Sequence, residues 1–93
     1  MRIRYRAQAL ADLEEIYRYL ELRSPAGARN VLRAIQEAIK QVGREPFSAV
    51  QTSDPRVRVK VLGRYRYKIF YDVTDAETIE IVHVRHTARR PWP

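Results

Sequence analysis

The sequence predicts an α+β domain. It should comprise an N-terminal strand, an antiparallel helix hairpin and a three-stranded antiparallel meander, with the helices packed on one face of the sheet. Three observations predict this. Apolar residues alternate with period two at the start of the chain, recur at helical spacing up to Val42, and return to period two from Val57 onward. The 93 residues suffice for one core and one domain, 1–93, in which residues 88–93 form a short irregular tail.

Each element has its own signal. "RIRYR", residues 2–6, sets Ile3 and Tyr5 against three arginines, as a strand with one buried face does. Ala9, Leu13, Ile16 and Leu20 then stand at offsets 0, 4, 7 and 11, the stripe of an amphipathic helix. Asp12, Glu14 and Glu15 are expected in or near its first turns and Arg18 and Arg23 towards its end, an order that complements the helix dipole. "RSPAG" stops this helix and starts another, with Ser24 as cap and Pro25 in the first position. Ala28, Leu32, Ile35, Ile39 and Val42 repeat the stripe, and Gly43 is the expected terminator. Both stripes read as core, with a dimer seam as the alternative.

Residues 44–55, "REPFSAVQTSDP", read as a polar connection. "VRVKVL" follows, with Val57, Val59 and Val61 on one face and Arg58 and Lys60 on the other. Gly63 marks a turn. "RYRYKIFYDV" then puts Tyr65, Tyr67, Ile69, Tyr71 and Val73 opposite Arg64, Arg66, Lys68, Phe70 and Asp72. After "TDAE", the strand "TIEIVHVRH" is apolar on both faces, which marks an inner strand.

Composition narrows the chemistry. There is no cysteine, which removes disulfides and thiolate metal sites and fits a reducing cytoplasm. No apolar run approaches the roughly 20 residues of a membrane span, and the arginines after Met1 leave no secretory apolar core. The formal charge is +7, with fifteen arginines among eighteen basic residues. Residues 1–55 hold nine basic and seven acidic side chains, and residues 56–93 hold nine and four. Nucleic acid and an acidic protein are the partner classes that this balance suits, against a plain basic surface.

His83 and His86 do not make a metal site: no thiolate or third ligand stands near, and strand residues three apart point to opposite faces. No cofactor is expected. The glycines at 27, 43 and 63 form no phosphate loop, and no serine or threonine sits in a nucleophile setting. Asp72 and Glu80 read as ion-pair partners of neighbouring arginines. What remains is a basic sheet face of Arg58, Lys60, Arg64, Arg66 and Lys68 with Phe70 among them, continued by Arg85, His86, Arg89 and Arg90. Such a face could hold a phosphate backbone, or cleave RNA with an arginine stabilising the phosphate and a histidine moving protons. A solvated strand face is the plainer account.

"ALADLEEIYRYL", "SPAGARNVLRAIQEAI", "YRYKIFYDV" and "IEIVHVRHTAR", in this order in a basic chain of this length, resemble the RelE/ParE superfamily of bacterial type II toxin–antitoxin modules. The resemblance spans nearly the whole chain and implies one of two activities. ParE-like members, the plasmid-stabilisation branch, bind and poison DNA gyrase. RelE-like members are mRNA interferases that cut message on the ribosome. The ending His86-Thr87-Ala88-Arg89 looks like the ParE-like H-x-x-R, and no tyrosine follows Tyr71 as a RelE-type terminal tyrosine would. The ParE-like reading is therefore favoured, with Arg58, Lys68, Arg89, Arg90 and Trp92 as target or partner contacts. On the RelE-like alternative, Lys60, Arg64, Arg66, Arg85 and His86 would be catalytic. The resemblance also implies a cognate antitoxin with an acidic or amphipathic C-terminal segment, for which Tyr17, Tyr19 and Leu20 are candidate contacts. Operator DNA would be met only through that antitoxin, and no membrane is involved.

Overall fold

Seven elements follow one another in the computed structural model, which describes residues 1–87. They are β1 (Arg2–Tyr5), α1 (Ala7–Glu21), α2 (Pro25–Arg44), β2 (Val50–Gln51), β3 (Val57–Leu62), β4 (Tyr67–Asp75) and β5 (Thr78–His86). The strands form one five-stranded sheet in the order β1-β5-β4-β3-β2. The expected meander is β3-β4-β5, and β1 joins it in parallel beside β5. That pairing makes β5 an inner strand, as its two apolar faces require.

Both helices pack on the same face of the sheet. Ala9 and Ile16 of α1 and Val31, Ile35, Ala38, Ile39 and Val42 of α2 share one core with Leu62, Tyr67, Ile69, Tyr71, Ile79, Ile81 and Val84. Ile35, Ile69, Ile79 and Ile81 are fully buried, each contributing roughly 1.5–3 kcal/mol of transfer free energy. Ser24 caps α2 as its position predicts, accepting a 3.0 Å hydrogen bond from the Gly27 amide, with Pro25 opening the helix.

Four local expectations change. First, α1 begins at Ala7, so its first turn holds no acid, and Asp12 has another task. Second, Gly43 lies inside α2 rather than ending it. A Cβ there would stand 3.4 Å from Ile3 Cδ1, so helix and β1 meet at this position in ordinary packing contact. Third, the polar connection contributes the short strand β2, paired antiparallel with Val59 and Arg58. Fourth, Arg64, Tyr65 and Arg66 belong to the β3–β4 turn and not to a strand. The left-handed residue of that turn is Arg66, at φ 59°, and not Gly63. Its amide donates to the Leu62 carbonyl at 3.1 Å and its carbonyl accepts from the Thr87 amide at 2.7 Å.

One irregularity decides which side chains face which way. Tyr71 pairs with Ile81 but Phe70 pairs with His83, so Val82 is an extra residue in β5. Simple alternation would align His83 with Ile79 and Ile81. The bulge gives that core position to Val84 instead.

Candidate functional site

The basic residues do not share one face. In the β3–β4 register Arg58, Lys60 and Leu62 pair with Tyr71, Ile69 and Tyr67, which belong to the main core. Arg58 and Lys60 therefore emerge on the helix side of the sheet. Val59, Val61, Phe70, Lys68 and Arg85 are on the other side, where Val57, Phe70 and Val82 form a second small cluster. The expected continuous basic face is thus corrected. The alternation was read rightly, but the core takes the tyrosine side of β4, and register carries Arg58 and Lys60 with it.

Arg58 is committed to the chain itself. Its guanidinium donates to the Ala49 carbonyl at 2.9 Å and the Phe47 carbonyl at 3.4 Å, and lies 5.2 Å from the centre of the Phe47 ring. Tyr71 Oη, from the neighbouring strand, donates to the Pro46 carbonyl at 2.6 Å. These two side chains fasten the α2–β2 loop to the sheet. Burial pushes the Tyr71 phenol above its ordinary pKa, with the Arg58 charge pulling it the other way.

Lys68 and Arg85 stand directly opposite each other on β4 and β5. Neither has an ion-pair partner among the described residues, and Arg85 Nε is buried without a hydrogen-bond partner. Like charges facing each other across a ladder are destabilising. The acids of this face are taken: Arg6 Nε meets Glu80 at 2.7 Å and its Nη2 meets Asp72 at 3.8 Å. This bears out the ion-pair reading of the two strand acids and leaves the Lys68–Arg85 pair uncompensated.

The histidines separate. His83 Nδ1 lies 3.1 Å from Asp12 Oδ2, their side chains 16% and 11% exposed, so it is a partly buried residue that ties β5 to α1. His86 pairs in register with Tyr67 and packs edge-on against its ring, with centroids 5.0 Å apart and planes at 82°. His86 is thereby on the helix side while its neighbour Arg85 is on the open side. Of the five residues offered as a cleavage centre, Lys60 and His86 are on the helix side, Arg85 is on the open side, and Arg64 and Arg66 are in the turn. Among the described residues, no group of three or more His, Asp or Glu could hold a metal ion. Arg89, Arg90 and Trp92, and the tail 88–93, lie outside the described residues.

On the helices, Tyr17 is 42% exposed and borders an apolar groove of about 310 Å³ with Tyr5, Leu13, Leu32, Ile35 and Ile39. Burial in this region raises the pKa of the Tyr5 phenol. Tyr19 is exposed beneath the Arg23 guanidinium, 3.7 Å from its ring centre. Leu20 packs against the main core, so it and Tyr17 face different surroundings.

The model of the ParE toxin of type II toxin–antitoxin systems matches residues 3–91. The chain belongs to the ParE toxin family. Among solved structures, one described as the chromosomal ParDE toxin–antitoxin system from P. aeruginosa shares this fold with a TM-score of 0.78. The two are 24% identical, and the match covers 92% of this chain and 95% of that one. No curated protein matches. No helix among the described residues of this ParE-family chain is long and apolar enough to cross a membrane.

Two features of this ParE-family chain escape a reading by residue type alone. Asp12 looks like a helix-dipole acid but serves the sheet edge, and its sequence signal is a place on the apolar stripe between Ala9 and Ile16. The Lys68–Arg85 opposition depends on the bulge at Val82, which no local motif announces.

Proposed function

We propose that this ParE-family chain arrests growth by binding DNA gyrase in the cytoplasm and is neutralised by a cognate antitoxin. One observation carries the choice of binding over RNA cleavage: Arg85 and His86, adjacent in sequence, are on opposite sides of the sheet. A metal-independent nuclease needs its proton-transferring group and its phosphate-stabilising cation on the same scissile bond. A protein-binding toxin needs only an uncompensated surface, and Lys68 with Arg85 supplies one on the open face. Unpaired cations there suit an acidic patch of a protein target and speed its capture. The groove beside Tyr17 is the matching place for an amphipathic antitoxin segment, its apolar face against Leu13 and Leu32.

The test is gyrase supercoiling with purified protein. Inhibition, or trapping of cleaved DNA, with translation unaffected at first is the expected result. Prompt loss of translation with ribosome-dependent cuts in message would replace this reading with the endonuclease one. In that case Arg85→Ala and His86→Ala would each abolish toxicity while antitoxin binding survived.

A further inference from the structure

On the open face of the sheet, cations, apolar residues and acids stand in successive rows across the strands. Val61, Lys68 and Arg85 share one row, since Lys68 pairs with Val61 on one side and Arg85 on the other. Val50, Val59 and Phe70 form the next, and Asp72 and Glu80 the one after. Arg6 holds both acids. The cation row has no such partner among the described residues, and the buried Nε–H of Arg85 is unpaired. A buried donor left unmet costs about 1–3 kcal/mol, and more when it is charged. An acceptor brought by a partner removes that cost.

We propose that this row is a socket for one carboxylate of a protein target, carried two residues from an apolar side chain on an extended segment that crosses the strands. The carboxylate approaches Arg85 from its Nε side and accepts from Nε–H and one Nη–H, a bidentate arrangement that lysine cannot offer. The Lys68 ammonium, on the facing strand, supplies the second charge. Neighbouring strands are about 4.8 Å apart, so Val61 is roughly 7 Å from the midpoint between Lys68 and Arg85. That is the spacing of alternate side chains on an extended chain. Val61, 51% exposed, thus receives the apolar side chain, and Val50 widens the ledge.

A nucleic-acid backbone fits the same face less well. It repeats its charge, whereas the cations here occupy a single row. A phosphate two rows further on, about 14 Å away, would meet Asp72 and Glu80. A second copy of this chain fits no better, because its acids on this face are already held by Arg6. The inference rests on the function proposed above, in that the segment belongs to the target which the open face meets.

The probe is the capped tripeptide acetyl-Asp-Ser-Val-amide, followed by NMR of the full chain through the Nε–H resonance of Arg85. Saturable shifts of that resonance and of the Val61 methyl groups are expected at millimolar peptide. Asparagine in place of the peptide aspartate should weaken binding roughly tenfold, without any change to the protein. Arg85→Lys keeps the charge but loses the Nε donor, and should weaken it about fivefold. Inorganic phosphate should leave the Val61 methyl groups unmoved. Absence of binding, equal binding of the asparagine peptide, unchanged affinity in a folded Arg85→Lys variant, or phosphate binding as tightly as the peptide would overturn the proposal. Gyrase inhibition without peptide binding sinks this inference alone, and peptide binding without gyrase inhibition sinks the function alone.

Discussion

Asp12 of α1 accepts a 3.0 Å hydrogen bond from the backbone amide of Val84, standing in for the strand that β5 lacks beyond Ile81. β1 leaves the ladder at Tyr5, paired with Ile81, and the Arg6 amide makes the last contact, to the Ile81 carbonyl at 2.9 Å. The same carboxylate oxygen meets His83 Nδ1. A helix side chain thus closes a sheet edge and ties the first helix to the last strand.

Asp12→Ala should therefore cost about 2–3 kcal/mol, since it strips a charged acceptor from a buried amide. Urea denaturation would measure the loss, and native-state exchange of the Val84 amide would localise it. Asp12→Asn, which keeps an acceptor oxygen, should cost less.

Tyr71→Phe should lower stability by about 1 kcal/mol, because the Pro46 carbonyl loses its donor. It should also flatten the alkaline side of the stability profile. The folded-state pKa of Tyr71 is raised by burial, so its contribution is whole below the ordinary phenol value and is lost as pH rises through the folded value. Urea midpoints of the two proteins should converge above roughly pH 10.

Arg66→Gly should stabilise the fold by about 0.5–1 kcal/mol, as glycine removes the left-handed penalty that exceeds its own entropy cost. Arg66→Val should destabilise it by more than 1 kcal/mol, a value at the order of the β-branched strain in this region. Thermal melts of the three proteins give the order.

Lys68→Glu turns a like-charge pair into an attractive one and should raise stability by about 0.5 kcal/mol. If the pair meets the target, the same variant should lose gyrase inhibition. A gain in stability with a loss of activity is the mark of a surface kept for binding. Unchanged inhibition would remove Lys68 and Arg85 from the proposed interface.

Much of this was readable from residue order. The stripes of the two helices, the Ser24–Pro25 start and the three meander strands follow from local periodicity, which neighbouring residues largely determine. β2 was missed because two residues, Val50 and Gln51, carry no period. The side on which each cation emerges was missed for a different reason. Alternation separates Arg58 from Val57, but only packing says which set meets the helices. Arg58 consequently fastens the α2–β2 loop, and Lys60 came to border α2.

The extra residue at Val82 fixes the parity of everything after it. Kept in regular pairing, the same letters would turn Arg85 inward against Tyr67 and present His86 outside in its place. A target that meets this sheet therefore encounters a planar guanidinium instead of an imidazole ring. An alignment that shifts a single gap across this strand would exchange the two, and with them the chemistry assigned to the toxin.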